Sequence, residues 1–442
     1  MKRIYSGFAY SAAPRANCWW DRTCDLPERP TLQGDLTCDV AVIGAGFTGL
    51  SAAMHLAKEG VSVAVLEAER VGWGASGRNG GFCCLGGGML DNAGLEARFG
   101  AEGRRDWRAT EAASVRFVQD LIRELGIDVD RHSEGETRLA HRPSDFEGMK
   151  REAEEIEADY DVTPRLIKAA DLPKEGMNAG FHGGLTTPVG FALNPRKYLA
   201  GLAKAAEDAG ARLFEGTPAH AIHDDRPGFS LDTPQGRVRA GRVIVATNGY
   251  SSEDLPDWLR GRYMPTQSSV IVTRPLTQVE LDAQGWTSAQ ACYDTRRLLH
   301  YFRLMPDRRM LFGVRGGLLS NPRSEKRALA RARRDFEAMF PSWKHVETPH
   351  GWSGMVCIAR DRMPFVGPVP GREGLFASLC YHGNGVAMGS YSGAVVAELA
   401  QGRKPSRLYP QPMKTPLSRF ELGRFRRAVM PPAYAAFALA DR

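Results

Sequence analysis

The chain has 442 residues, 43% hydrophobic and 25% charged, which suits two or three compact units and excludes a disordered or collagen-like polymer. No apolar run approaches the ~20 residues a bilayer crossing needs, and the N-terminus lacks the continuous apolar core of a signal peptide, so a soluble, cytoplasmic protein is expected. The formal charge is +7, from 58 Lys and Arg against 51 Asp and Glu, an excess too diffuse to indicate nucleic acid and compatible with an anionic cofactor or substrate.

In chain order, the first strong signal is the apolar run Val40-Ala41-Val42-Ile43, a strand ended by Gly44. A helix pattern follows through Leu50, Ala53, Met54, Leu56 and Ala57, with Gly60 as its stop. A second strand, Val61 to Leu66, ends at Glu67, completing the start of a βαβ unit. Helices are then predicted over Asp106–Ile127, Asp145–Tyr160 and Arg196–Asp208, the last opened by Asn194-Pro195 and closed by Gly210. Strands are predicted at Arg212–Phe214, at Val238 and at Val243–Ala246. Residues 263–316 read as strand-rich, notably Ser269–Thr273, His300–Leu304 and Met310–Val314. The basic run Arg323–Arg334 carries Leu329, Phe336, Met339 and Phe340 near helical spacing, so its arginines form a solvated face. The last clear helix is Ser390–Ala400, stopped by Gly402.

The chemistry starts at Gly44-x-Gly46-x-x-Gly49, which follows a strand and opens a helix. Gly44 permits the tight turn, Gly46 lets a pyrophosphate approach the backbone, and Gly49 lets helix and strand pack closely. Free N–H groups at Phe47, Thr48 and nearby, with the helix dipole, suit phosphates. Glu67, 18 residues after Gly49, is placed to accept hydrogen bonds from an unphosphorylated ribose diol. This fingerprint leaves FAD and NAD both open. Eight cysteines (Cys18, Cys24, Cys38, Cys83, Cys84, Cys292, Cys357 and Cys380) show neither disulfide density nor paired CxxC spacing, so free thiols and no metal site are expected.

The next segment, Glu69-Arg-Val-Gly-Trp-Gly-Ala-Ser-Gly-Arg-Asn-Gly-Gly81, lets backbone pass close to a flat ligand, with Ala75, Ser76, Arg78, Asn79, Gly80 and Gly81 as contacts. Here the sequence resembles the glycine oxidase and D-amino-acid oxidase superfamily of FAD enzymes, and the phrase VGWGASGRNGG resembles its gamma-glutamylputrescine oxidase branch. Three further stretches carry the resemblance: Val243–Tyr250; Glu215–Ala219, whose Ala219 would meet the adenine; and Asp361–Gly367 with Tyr381–Val386. It runs from about residue 37 to about residue 402.

The resemblance implies an α/β (overall α+β) fold, a Rossmann-like FAD-binding domain interleaved with an antiparallel-sheet substrate domain. The FAD-binding parts would be 36–95, 186–262 and 350–402, the substrate parts 96–185 and 263–349, and 403–442 a tail packed on the body. It also implies non-covalent FAD, because Cys357 lies about two positions from where some relatives attach flavin. The loop Gly383, Asn384, Gly385 and Val386 would present helix N-terminal N–H groups to the flavin edge and favour its reduced anion.

Flavin amine oxidation asks the protein for position, dryness and stabilisation of reduced flavin, so no general base is named. The implied reaction moves a hydride from a γ-glutamylputrescine-like amine to flavin N5 and leaves an imine that hydrolyses, with O2 as acceptor. Tyr301, Arg303, Arg360, Tyr381 and His382 are the substrate-pocket candidates, arginine for a carboxylate and tyrosine for an amine slot. Two departures stand out. Met310–Gly313 lacks the lysine with which sarcosine oxidases activate oxygen, and Ala192-Leu193-Asn194-Pro195 replaces the family's His-Leu-Asn-Pro. An N-methyl or D-amino-acid dehydrogenase using a quinone therefore stays open, as does an RNA-modifying flavoprotein. A redox role for Cys83 and Cys84 is also open.

Overall fold

The computed structural model describes residues 1–317 and 319–441. One eight-stranded sheet is built on the βαβ unit. Leu36–Ile43 pairs in parallel with Val63–Leu66 on one side and Gly236–Val245 on the other. Arg212–Phe214 and Leu375–Leu379 extend it in parallel, and Phe365–Pro368 closes an edge antiparallel. Central parallel strands are covered on both faces, so they read as continuous apolar runs. One face carries helices Phe47–Lys58, Pro195–Asp208 and Ala387–Ala400, whose Leu50, Met54, Leu199, Leu202 and Val395 share one core. The last helix starts three residues before the predicted Ser390. Helix Asn92–Glu124 starts well before the predicted Asp106, and Gly100 breaks it with φ of 74°.

The second eight-stranded sheet has the order His350–Ala359, Tyr263–Val272, Met310–Arg315, His300–Leu304, Ala291–Asp294, Glu136–Leu139, Gly183–Thr187 and Arg165–Lys168. It is antiparallel except for one parallel pair, Ala291–Asp294 with Glu136–Leu139. His350–Ala359 pairs along its whole length with Tyr263–Val272. That corrects the boundary at residue 350, because these ten residues belong to the second sheet and only those after them return to the first.

Period-2 alternation sorts the second sheet's residues. Phe302 and Phe312 point to one face, where Phe336 of helix Pro322–Met339, Phe340 just after it and Trp286 just after helix Gln278–Gln284 form an aromatic cluster with them. Tyr301, Gly313 and Arg315 therefore point to the other face. Helix Pro322–Met339 buries Ala332 and Phe336, while Arg331 and Arg333 pair with Asp335 and Glu337 on its solvated side. Beyond residue 403, Met413, Leu417 and Arg426 are buried, Arg426 donating to the Tyr263 carbonyl, while helix Met430–Ala440 buries no residue. Among the described residues, no helix is long and apolar enough to cross a membrane.

Candidate functional site

A cavity of about 450 Å³ joins the two sheets. At one end lie the carboxyl ends of the parallel strands, the usual ligand position in such sheets. Gly44 turns there with φ of 105°, and a Cβ on Gly49 would collide with the Gly44 carbonyl oxygen. Gly44, Gly46, Phe47, Thr48, Glu67 and Ala219 line this end; Gly49 does not, because its part is to seat the helix on the strand. The Glu67 carboxylate accepts from the Ala45 N–H at 2.8 Å and the Glu69 N–H at 3.1 Å. Burial raises its pKa while these two N–H groups oppose the rise.

The glycine-rich loop is held from outside the cavity. Three successive carbonyls, of Arg78, Asn79 and Gly80, accept from Trp352 Nε1, Trp20 Nε1 and Arg303 Nε, each at 2.8 Å. Ser76 Oγ accepts the Phe47 N–H at 3.0 Å, joining the loop to the first helix turn. Asn79 spends its side chain inside the loop, donating to the Ala75 and Ser76 carbonyls and accepting from the Gly81 N–H. Ala75, Ser76, Arg78, Asn79 and Gly80 line the cavity. Gly81 does not; it packs against the Leu193 carbonyl and Arg303 instead. Arg78 donates to the Trp73 and Ser353 carbonyls, and its guanidinium stacks 4.2 Å from the Trp73 ring centroid. Among the described residues its Nη2, and the Tyr250 hydroxyl nearby, are buried without a hydrogen-bond partner.

The closing loop comes from the other side. Gly383, Asn384, Gly385 and Val386 line the cavity immediately before helix Ala387–Ala400. Asn384 Nδ2 donates to the Leu85 carbonyl at 2.7 Å. The Tyr381 hydroxyl bonds Thr48 Oγ1 at 3.0 Å and Ser378 Oγ at 2.7 Å, fastening this loop to the first helix. Burial pushes its pKa up to about 12. His382 is fixed at both nitrogens, Nδ1–H donating to the Gly87 carbonyl and Nε2 accepting the Ala359 N–H. Burial pulls its pKa down to about 4, so the ring is neutral.

The far end is the face of the second sheet that carries Tyr301 and Arg315. Ser268, Tyr293, Tyr301 and Arg315 line it with Glu136, and the Tyr301 hydroxyl bonds Ser268 Oγ at 2.9 Å. Of the five pocket candidates, Tyr301, Tyr381 and His382 reach the cavity. Arg303 does not. Its guanidinium is buried behind the glycine-rich loop, donating to the Gly80 and Leu193 carbonyls and to His132 Nε2. Arg360 lies one residue past the strand end, on the surface, paired with Glu421 of the tail. Glu136, Tyr293 and Arg315 were not anticipated; Arg315 falls one residue past the predicted strand Met310–Val314, which in the structure extends to include it.

Cys84 lines the cavity and Cys83, on the opposite strand face, does not. Burial raises both thiols, keeping them protonated and poor nucleophiles. Cys357 and Cys380 bring their sulfurs to 3.4 Å.

The family described as DAO, FAD dependent oxidoreductase, matches residues 39–399. A probable oxidoreductase OrdL of Rhizobium meliloti is 32% identical over 96% of this chain and 97% of its own length. The gamma-glutamylputrescine oxidoreductase of Escherichia coli is 30% identical over 84% of this chain and 85% of its own. Among solved structures, a glycine oxidase from Geobacillus kaustophilus superimposes with a TM-score of 0.69 at 20% identity, covering 84% of this chain and 96% of that one. L-proline dehydrogenase from P. horikoshii gives 0.68 at 20% identity, over 85% and 96%.

Proposed function

We propose, from the premise that this chain belongs to the DAO family of FAD-dependent oxidoreductases, that it oxidises a γ-glutamylputrescine-like amine to an imine, which water hydrolyses to an aldehyde. An enzyme acting on amines or amino acids follows from the family; the particular amine and the electron acceptor are our reading. The observation that carries it is one continuous cavity running from the dinucleotide fingerprint to a sheet face of tyrosines and two opposite charges.

The residues present fit FAD. Gly44 and Gly46 leave backbone uncovered at a helix N-terminus, the Glu67 carboxylate faces the cavity, and Arg78 Nη2 is a buried donor in want of an acceptor. We assign Gly44, Gly46, Phe47 and Thr48 to the pyrophosphate, Glu67 to a ribose and Ala219 to the adenine. Ala75, Ser76, Arg78, Asn79 and Gly80 then run beside the rest of the cofactor, bound without a covalent link. When bound, FAD supplies the oxidation by accepting a hydride from the carbon beside the nitrogen.

The chain's own residues do the remaining work. Gly383, Gly385 and Val386, just before helix Ala387–Ala400, would offer helix N-terminal N–H groups to negative charge on the bound cofactor, with a dipole contribution of about 0.3–1 kcal/mol, while the Asn384 N–H is held by the Tyr381 carbonyl. Tyr381 and His382 set the shape of that loop by their bonds to Thr48 and Gly87. Tyr301 and Tyr293 wall the slot in which an amine would lie. The acceptor we propose is O2. The absence of a lysine in Met310–Arg315 favours, as a second reading, a dehydrogenase passing electrons to a quinone or other carrier.

The test is turnover of γ-glutamylputrescine in air with peroxide and aldehyde both measured, then repeated with an artificial dye under argon. Stoichiometric peroxide and aldehyde support the oxidase reading. Aldehyde with dye alone supports the dehydrogenase, and no aldehyde in either assay refutes the substrate assignment.

A further inference from the structure

The substrate end of the cavity holds two charges of opposite sign that the protein itself leaves unmatched. Arg315 stands on the cavity face of Met310–Arg315, and Glu136 on the cavity face of Glu136–Leu139. Among the described residues neither forms an ion pair. Among the described residues the Arg315 side chain has one hydrogen bond, from Nη2 to the His382 carbonyl at 3.3 Å, and Glu136 meets the Cys84 thiol. Both are half-buried on the cavity wall, and a ligand that fills the cavity takes them out of water; enclosing a charge without a partner is costly, so an occupied site needs the ligand's charges as its complement. Burial lowers Arg315 and pushes Glu136 up to about 7, against the opposing pull of the Cys84 thiol and of Arg138, which is itself paired with Glu152.

The separation of the pair carries the substrate information. Strand Met310–Arg315 reaches Glu136–Leu139 across His300–Leu304 and Ala291–Asp294. Three inter-strand spacings amount to roughly 14 Å across the sheet. They are also offset along it: the Arg315 N–H donates to the Leu299 carbonyl, whereas Glu136 lies opposite Ala291. The adjoining ammonium and carboxylate of an α-amino acid cannot touch both. We infer that Arg315 receives a carboxylate and Glu136 an ammonium of one substrate, an amine whose carboxylate lies many bonds from the reacting nitrogen. Tyr293 and Tyr301, between the two strands, line the connecting chain. Arg315 packs against Gly383, where a Cβ would collide with its guanidinium, so the carboxylate end sits beside the closing loop.

This rests on the amine-oxidising reading above, and the experiment separates the two. FAD-loaded protein is titrated anaerobically with γ-glutamylputrescine and with N-acetylputrescine, which keeps the amide and amine but lacks the carboxylate, following the flavin absorbance. Calorimetry with 4-acetamidobutanoate, which has the carboxylate and no oxidisable amine, reports binding alone. The expected result is that wild type prefers γ-glutamylputrescine about 100-fold, an Arg–carboxylate pair's share of affinity. Arg315→Leu abolishes that preference, Arg315→Lys retains part of it, and both weaken 4-acetamidobutanoate. Glu136→Gln weakens both amines about tenfold and leaves 4-acetamidobutanoate unaffected. Equal response of wild type to the two amines, or full discrimination retained by Arg315→Leu, overturns the inference while leaving amine oxidation intact. Failure of both amines to reduce wild-type flavin refutes the functional reading, and the carboxylate site then stands or falls on 4-acetamidobutanoate binding to wild type against Arg315→Lys.

Discussion

The cavity's two ends are built by different means. The nucleotide end is made of backbone: turns, a helix N-terminus and a loop whose carbonyls are held from behind by Trp20, Trp352 and Arg303. The end we assign to the substrate is made of side chains that project from five strands scattered between residues 136 and 315. Backbone sites demand glycine at fixed positions, so they tolerate little change. Side-chain sites can be altered singly without disturbing the fold, and that is where members of one family can differ in substrate.

That contrast can be broken in order of expected effect. Gly49→Val drives a side chain into the Gly44 carbonyl; clashes of this kind cost about 1–3 kcal/mol or more. The protein should emerge without flavin or not fold, read from the ratio of visible to ultraviolet absorbance. Arg303→Met strands the Gly80 and Leu193 carbonyls in a buried place, at about 1–3 kcal/mol per unsatisfied group. It should lower the melting temperature and FAD retention together without selectively changing substrate discrimination, as befits a residue that positions the loop. Ser76→Ala removes one bond to the Phe47 N–H, worth about 1 kcal/mol, and should weaken FAD severalfold in an equilibrium titration.

His382 sharpens the comparison through pH. Its pKa falls from 6.5 unfolded to about 4 folded, so between those values the unfolded chain takes up a proton that the folded protein refuses. Its contribution to stability is full above pH 6.5 and shrinks as pH falls towards 4. The destabilisation caused by His382→Gln should therefore be larger at pH 7 than at pH 5, measured by thermal melts of both proteins. Arg360→Ala, at an exposed pair remote from the cavity, should leave kcat/KM unchanged.

How far the sequence carried the reading follows the same division. The βαβ unit, the glycine loop and the closing loop were legible because each needs particular residues in consecutive order. Tyr301 was legible because His300–Leu304 has clear strand chemistry. Arg303 was misplaced although it shares that strand face: Tyr301 reaches the cavity, while Arg303 meets the back of the glycine loop, a difference set by what lies above each residue. Arg360 was misplaced because the strand ends at Ala359. Glu136 escaped notice because Glu136–Leu139 is four residues long and carries charge on the face toward the cavity. Helix Asn92–Glu124 was seen only from Asp106, since Gly94, Gly100 and Gly103 mask its first turns.

The most direct test of the central claim, one cavity shared by FAD and an amine, is the visible spectrum of the purified protein before and after anaerobic addition of γ-glutamylputrescine. A flavin band near one equivalent, released on denaturation and bleached by the amine, is the predicted result. A protein that stays colourless after incubation with FAD, or a band that no amine bleaches, would contradict it.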